Sequence, residues 1–484
     1  MVNQNKWRTA IPAGAGILLF LGLCFYRIND ISLWLDEIMS MDFCDGDVSE
    51  LFQSLKQDVH APLFYSLLFV YLKIAELSEL SGRLHAILAG AACIPAIYYL
   101  GRECRNRKAG IAAAIILSVS PFFIEYSREV HPYSLSALFS VLSWIFFLRI
   151  VRRGETRDAI GYGLSCGLLL LTFYLAILVI FSQFLVFLAL FPKLARRKKN
   201  RLIFAWIGGA VLFSPWLPIF VRQFTVNKIS HDVEVYFPEG VQLRHVVRLI
   251  SDIFLGEGRS IIPFALLAGF APMIALGGTL IQVTEKRQRF AFCRLLNIWM
   301  FWGLALLFTL LCLIKPLFLS RYMTMSIPLA AFFLASAVTR LRIKIGYIFF
   351  ALIIAWSLFS YTIYIKSMPR QNWKQPAAHL AENAEDKDVI VTGHINATSC
   401  LIFYYQMLDR AELNKNTFTF DHFYELTEGK YKYSDRTLWY LWRGHPWSDK
   451  QLETIQSKNT FIKQIDFPLG YRIYTFRGLE ETSK

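Results

Sequence analysis

The chain is 484 residues long, 55% hydrophobic and only 18% charged, with a mean hydropathy of +0.40. Its repeated apolar runs approach the roughly 20 residues that cross a bilayer core, which excludes a water-soluble globule and predicts an all-α polytopic membrane protein. The formal charge of +15 falls in short Lys/Arg clusters between apolar runs. That is the footprint of cytoplasmic loops, so no nucleic-acid partner is expected.

Lys6 and Arg8 precede the first apolar run, 11–26, which continues into Arg27 without a small-residue cleavage site. This reads as an uncleaved anchor with a cytoplasmic N-terminus. Spans are predicted at 10–28, 83–101, 109–125, 133–151, 158–172, 174–191, 202–222, 261–282, 295–314, 321–339 and 345–366. The basic clusters are Lys6/Arg8, Arg102/Arg105/Arg107/Lys108, Arg149/Arg152/Arg153/Arg157, Arg196/Arg197/Lys198/Lys199, Lys286/Arg287/Arg289/Arg294 and Arg340/Arg342/Lys344. All of them share one side if about eleven segments cross, and that side should be the cytoplasm. Counting the apolar segment 61–75 as a twelfth span would reverse every later cluster. It is therefore expected to lie at the outer interface or to dip in and return; the other reading is a short span in an unusual topology. The loops 29–60, 126–132, 223–260 and 315–320 then share the outer face with the tail.

The tail changes character. From Arg370 on, polar residues dominate, with strands expected at 388–393, 438–442, 461–467 and 471–476 and helices at 397–408 and 448–456. This divides the chain into a membrane domain, 1–366, whose outer loop 29–60 carries an acidic pair, and a small extracytoplasmic α/β domain, 367–484. The eight cysteines include no CxxC pair, and most lie inside apolar runs as small core residues.

The acidic pair is Asp36 and Glu37, in Ser32-Leu33-Trp34-Leu35-Asp36-Glu37, where the first span leaves the hydrocarbon. A charge there is either functional, facing a protein cavity, or part of a solvated loop that continues through Asp42, Asp45 and Asp47. His60 opens the ambiguous segment in Asp58-Val59-His60-Ala61-Pro62-Leu63, either as a cap or as a site residue. Glu125, Arg128, Glu129, His131 and Tyr133 crowd the turn between two spans. An ion-paired loop would explain them, as would a phosphate held by the Arg128 fork and the Tyr133 hydroxyl. Lys315, Arg321 and Tyr322 repeat the theme late in the chain, and there the cations stand on the side that the positive-inside bias disfavours, which an anionic ligand would account for. Together these groups suit transfer from a lipid phosphate. Cations or a metal would stabilise the leaving phosphate, and a carboxylate would take the proton of an attacking hydroxyl.

The order and spacing of these motifs over residues 30–150 resemble the GT-C class of membrane glycosyltransferases. The similar group is the family 39-like enzymes, which include protein O-mannosyltransferases and lipid A aminoarabinose transferases. The resembling stretches are Asp36-Glu37, His60-Ala61-Pro62-Leu63, Ser81-Gly82-Arg83-Leu84, the run from Ser120-Pro121 to Pro132-Tyr133, and Ser320-Arg321-Tyr322. The resemblance implies a GT-C fold, a polyprenyl-phosphate sugar donor and an active site on the outer face. It implies Asp36 as the key carboxylate assisted by Glu37, and Arg128 and Arg321 on the donor phosphate. His60, Arg83, Glu125, His131, Tyr133, Lys315 and Tyr322 are the further candidate binding residues. The family's usual His-Pro-Pro-Leu has Ala61 here, and His131 stands where some relatives carry an acid, a place Glu125 would have to fill. Some relatives bind a divalent metal ion. The expected function is inverting sugar transfer to an envelope lipid, glycan or protein by a multi-pass protein of the bacterial plasma membrane. A transporter or flippase of lipid-linked saccharides is the alternative.

Overall fold

The structure is a computed structural model that describes residues 4–75, 77–226, 245, 248–249, 251–253, 276–280, 282–283, 291–314, 319–367, 371–427, 436–443 and 446–478. Contacts divide the chain into two compact units. Unit 1 comprises residues 1–28, 43–75 and 81–367. Unit 2 comprises 29–42, 76–80 and 368–484.

Unit 1 is helical. In chain order it holds α1 (Gln4–Phe25), α3 (Val48–Gln57), α4 (Pro62–Leu72), most of α5 (Glu79–Cys104), α6 (Arg107–Ser118), α7 (Pro121–Ser127), α8 (Tyr133–Arg152), α9 (Thr156–Thr172), α10 (Ile177–Leu190), α11 (Arg196–Phe213), α12 (Leu217–Val226), α13 (Ala291–Ile314), α14 (Ile327–Val338) and α15 (Ile343–Ser367). The short α2 (Leu35–Asp42) belongs to unit 2. Among the described residues seven helices are long and apolar enough to cross a membrane, or nine if two bent pairs each count as one span. The chain is thus a multi-pass membrane protein.

Several expected spans take a different form. The predicted span 109–125 is two helices, α6 and α7, bent by 61°. The break falls where Pro121, which has no N–H to continue the ladder, opens α7 while the Ser120 side chain caps it through the Phe123 N–H. The span expected at 158–172 is a 17-residue helix. Most of the span expected at 261–282 lies outside the described residues. Segment 61–75 forms α4, only 11 residues or about 16 Å long, too short for a core of roughly 30 Å. Close approach of backbones needs glycine at Gly163, where an added Cβ would stand 2.7 Å from the Ala205 carbonyl of α11.

Basic clusters gather at one end of the bundle. Glu103 pairs with Arg149, Arg152 and Arg153 at 3.6, 3.6 and 3.2 Å. Lys198 donates to the Val151 and Arg152 carbonyls at 2.7 and 2.9 Å, and Arg105 to that of Thr339 at 3.3 Å. Clusters remote in sequence therefore meet at one end of unit 1, where cations cover the exposed carbonyls of helix C-termini.

Unit 2 is an α/β domain. Its sheet has the order β2 (Thr417–Thr419), β1 (Val389–Thr392), β3 (Thr437–Trp442), β5 (Tyr471–Gly478), β4 (Asn459–Phe467). The first three strands are parallel, and β5 runs antiparallel to both β3 and β4. Val389, Val391, Leu438, Tyr440, Ile455, Tyr474 and Phe476 form a core. The helices are α16 (Lys374–Asn383), α17 (Ile395–Met407), α18 (Phe420–Thr427) and α19 (Pro446–Lys458). The four expected strands are present. β2 adds a fifth at the sheet edge that the sequence did not signal, because three residues are too few to show alternation. The buried Asp388 carboxylate accepts the Thr437 N–H, the Trp439 indole and the Glu385 N–H, which fixes where β3 begins.

Candidate active site

The acidic pair sits in the first turn of α2, where carboxylates complement the helix dipole. The two have different environments. The Glu37 carboxylate is buried and accepts the Trp34 N–H at 3.2 Å, one half of a capping box. Asp36 is partly exposed, and its backbone carbonyl accepts the Ser40 hydroxyl at 2.7 Å.

The segment before α2 is fastened to residues more than 300 positions away, all within unit 2. The Leu33 N–H donates to the Tyr404 hydroxyl at 2.8 Å, and that hydroxyl donates to Glu79 at 2.7 Å. Lys374 reaches the second Glu79 oxygen at 2.7 Å and the Asn29 carbonyl at 3.3 Å. Ser32 accepts the Trp373 N–H at 3.1 Å, and Gln371 accepts the Leu35 N–H at 3.0 Å. Burial, with the Glu79 carboxylate adding to it, pushes the Tyr404 phenol above its ordinary range, so it remains a neutral donor. α2 also packs on α17. In that neighbourhood burial pushes the Cys400 thiol up, Arg443 opposing and Asp36 adding. The exposed Arg443 guanidinium lies over the buried rings of Trp373 and Tyr471, 5.2 and 5.6 Å from their centroids. No motif singles out Arg443, Glu79 or Tyr404, since their relation to the acidic pair exists only in three dimensions.

The other candidates lie in unit 1. His60, His131 and Tyr133 form a row of rings, with centroids 5.2 Å apart from His60 to His131 and 4.6 Å from His131 to Tyr133. Phe173 continues the row at 6.2 Å from Tyr133, and Tyr322 follows at 6.0 Å. The Arg321 guanidinium stands 5.8 Å from the Tyr322 ring centroid. Four stretches of sequence therefore meet in one row of imidazole, phenol and guanidinium. The loop that carries His60 is braced. Its carbonyl accepts the Tyr174 hydroxyl at 3.1 Å and the Gln223 amide at 3.2 Å, and the Trp216 indole donates to Tyr174 at 2.6 Å. The His60 Nδ1 lies 3.0 Å from Asp58. Burial raises the Asp58 carboxyl, but the bonds from His60 and the Val59 N–H outweigh it and hold the group below its usual range.

Arg83 and Arg128 take a structural task at the end of α1. Arg27, with a left-handed φ of 55°, ends that helix. The Ile28 carbonyl then accepts Arg83 at 3.0 Å, and the Tyr26 carbonyl accepts Arg128 at 3.2 Å. Both residues are 2% exposed, and the Arg128 guanidinium stands 5.8 Å from the Tyr364 ring centroid. Glu125 is buried in α7. Ser320, next to Arg321, donates to the buried Asp252, an acid inside a stretch the sequence presented as loop. Lys315 lies outside the described residues. Among the described residues no group of three His, Cys, Asp or Glu stands close enough to hold a metal ion.

Residues 59–219 match the family model described as dolichyl-phosphate-mannose-protein mannosyltransferase. Among solved structures, ArnT from Cupriavidus metallidurans bound to undecaprenyl phosphate is similar with a TM-score of 0.61 at 12% identity, covering 95% of this chain and 97% of that one. The Archaeoglobus fulgidus oligosaccharyltransferase in its apo form is similar with a TM-score of 0.53 at 10% identity, covering 100% of this chain and 76% of that one. The archaeal oligosaccharyltransferase AglB from Archaeoglobus fulgidus, in complex with an inhibitory peptide and a dolichol-phosphate, gives a TM-score of 0.51 at 10% identity, over 99% of this chain and 75% of that one. No curated protein sequence matches the chain. The fold is that of the GT-C membrane proteins, as the motif order implies. The chain is thus a multi-pass membrane protein of GT-C fold, and its residues 59–219 resemble a mannosyltransferase family.

Proposed function

We propose that the protein transfers a sugar from a polyprenyl-phosphate donor to a lipid, glycan or protein acceptor of the cell envelope, on the outer face of a bacterial plasma membrane, with inversion. The observation that carries this reading is the row from His60 to Arg321. It gathers rings and a guanidinium at the bundle end away from the basic clusters, within a chain whose residues 59–219 match a mannosyltransferase family. Undecaprenyl phosphate in the ArnT structure and dolichol-phosphate in the AglB structure support a lipid-phosphate donor.

The acceptor nucleophile attacks the anomeric carbon while the bond to the phosphate oxygen breaks, and the polyprenyl phosphate leaves with the electron pair. Asp36 takes the acceptor's proton as general base, or orients an acceptor that already arrives as an anion. Glu37 is a positioning residue, since its carboxylate caps the helix that presents Asp36. Arg321, with Tyr322 and Tyr133, holds the charge that grows on the departing phosphate. Arg128 adds to that field from the end of α1. The rings of His60 and His131 form a wall for the sugar. Arg443, which shares the surroundings of Cys400 with Asp36, is the cation that meets the acceptor. Assay of labelled sugar transfer in membranes tests the reading. Asp36→Asn, inserted and folded like the wild type, is expected to lose about 10²- to 10⁴-fold in rate, the range a general base supplies. Wild-type transfer by that variant sinks the assignment.

A further inference from the structure

On the flank of unit 1, α9 and α11 leave a groove of 740 Å³ that the reaction above does not use. Gly163 and Gly208 keep its floor low, and Ile160, Leu164 and Phe204 stand 60%, 51% and 68% exposed along it. An apolar groove facing lipid would need no explanation alone. The opposite end does need one, because Arg196, Arg197 and Arg201 line the same groove. Arg196 and Arg197 begin α11, whose first turn holds no acid, and Arg201 follows in its second turn. Cations at the positive end of a helix dipole repel it and one another, and an anion relieves both. Their neighbours are already engaged, Lys198 on the α8 carbonyls and Lys199 over the Phe191 ring at 3.9 Å. Arg201 gives one nitrogen to Thr156 at 2.9 Å, which fixes its fork beside the groove.

We propose that this groove binds an anionic phospholipid, the phosphate among Arg196, Arg197 and Arg201 and an acyl chain along Ile160, Leu164 and Phe204. Forked guanidinium donors match phosphate oxygens, and basic pockets between membrane helices suit anionic headgroups. A zwitterionic lipid would bring its own cation toward three others. Inorganic phosphate would satisfy the charge and leave the apolar part of the groove uncovered.

The test titrates the purified full-length protein in detergent with phosphatidylglycerol, phosphatidylcholine or inorganic phosphate and counts bound molecules by native mass spectrometry. Phosphatidylglycerol is expected to bind at least about 10-fold more tightly than the other two. The double variant Arg196→Gln/Arg197→Gln is expected to weaken it about 30-fold, from two surface cations near a headgroup. Gly208→Phe gives a second arm. A Cβ at that position meets nothing within 4 Å, so the backbone has room for a side chain there; the ring is expected to occupy the acyl path and to lower phosphatidylglycerol binding about 10-fold by the loss of apolar contact, with helical circular dichroism checking the fold. Equal binding of both lipids, phosphate binding as strong as lipid binding, or unchanged phosphatidylglycerol binding in both variants overturns the proposal.

Discussion

Units 1 and 2 hold their candidate functional groups by different physical means. In unit 1 the row from His60 to Arg321 is set by helix packing, ring on ring. In unit 2 the helix of Asp36 is held by directional bonds through Tyr404, Glu79, Lys374, Ser32 and Gln371. Lipid supplies no hydrophobic force between helices, so close packing places groups in a membrane bundle. In a water-facing domain a buried polar network can fix a segment, provided every member is satisfied. Under the proposed function the acid side would then be vulnerable to single atoms, and the cation side to volume and charge.

After that of Asp36→Asn, the largest expected effect breaks the cation side. Arg321→Ala should lower kcat/KM for the lipid-linked donor by about 10²- to 10³-fold, the usual cost of removing a preorganised partner of a developing charge. The helical circular dichroism should remain. A change below threefold would take Arg321 out of the mechanism. On the acid side, Tyr404→Phe removes one oxygen atom and leaves the Leu33 N–H and the buried Glu79 short of a partner. It should destabilise unit 2 by about 1–3 kcal/mol, read as earlier proteolysis of the C-terminal region, with a matching fall in transfer.

Glu37→Gln sharpens the division within the acidic pair. The amide oxygen can still accept the Trp34 N–H, so most activity should survive, in contrast to Asp36→Asn. A loss as deep as that of Asp36→Asn would give Glu37 a chemical part. Tyr174→Phe loosens the His60 loop by about 1 kcal/mol and should raise KM for the donor more than it lowers kcat, as steady-state kinetics would show. The smallest effect is one of pH. Asp58 titrates lower in the folded protein than its ordinary 3.8. The unfolded chain therefore binds the proton first, and the contribution is present above about pH 4 and lost as pH falls further. Asp58→Asn should flatten that part of the stability profile, measured by thermal unfolding between pH 3 and 6.

Much of the site was legible as parts. His60, His131, Tyr133, Arg321 and Tyr322 could be named because polar groups at the ends of apolar runs stand out. Their union in one row could not, because it depends on how α4, α8 and the 320–326 turn pack. Arg83 looked like a binding residue and Arg128 like a ligand for a phosphate, and the structure shows both also holding carbonyls at the end of α1. A one-dimensional pattern shows a cation and not the acceptor it has found. Arg443, Glu79 and Asp252 gave no signal, since a lone charged residue in a polar stretch looks like any solvated surface.

The sequence by itself determined the membrane class, seven of the spans, the α/β character of the tail and the motif order that names the GT-C fold. Hydrophobic length and period are local properties of a chain, and bilayer thickness turns them into structure. Only the tertiary structure decided that the acidic helix after the first span packs with the C-terminal sheet domain, that the helix after Ser120 breaks away from the one before it, and that clusters as far apart as 105 and 339 share one end. Those outcomes depend on a hydroxyl or a guanidinium meeting a partner hundreds of residues away, which no local pattern encodes.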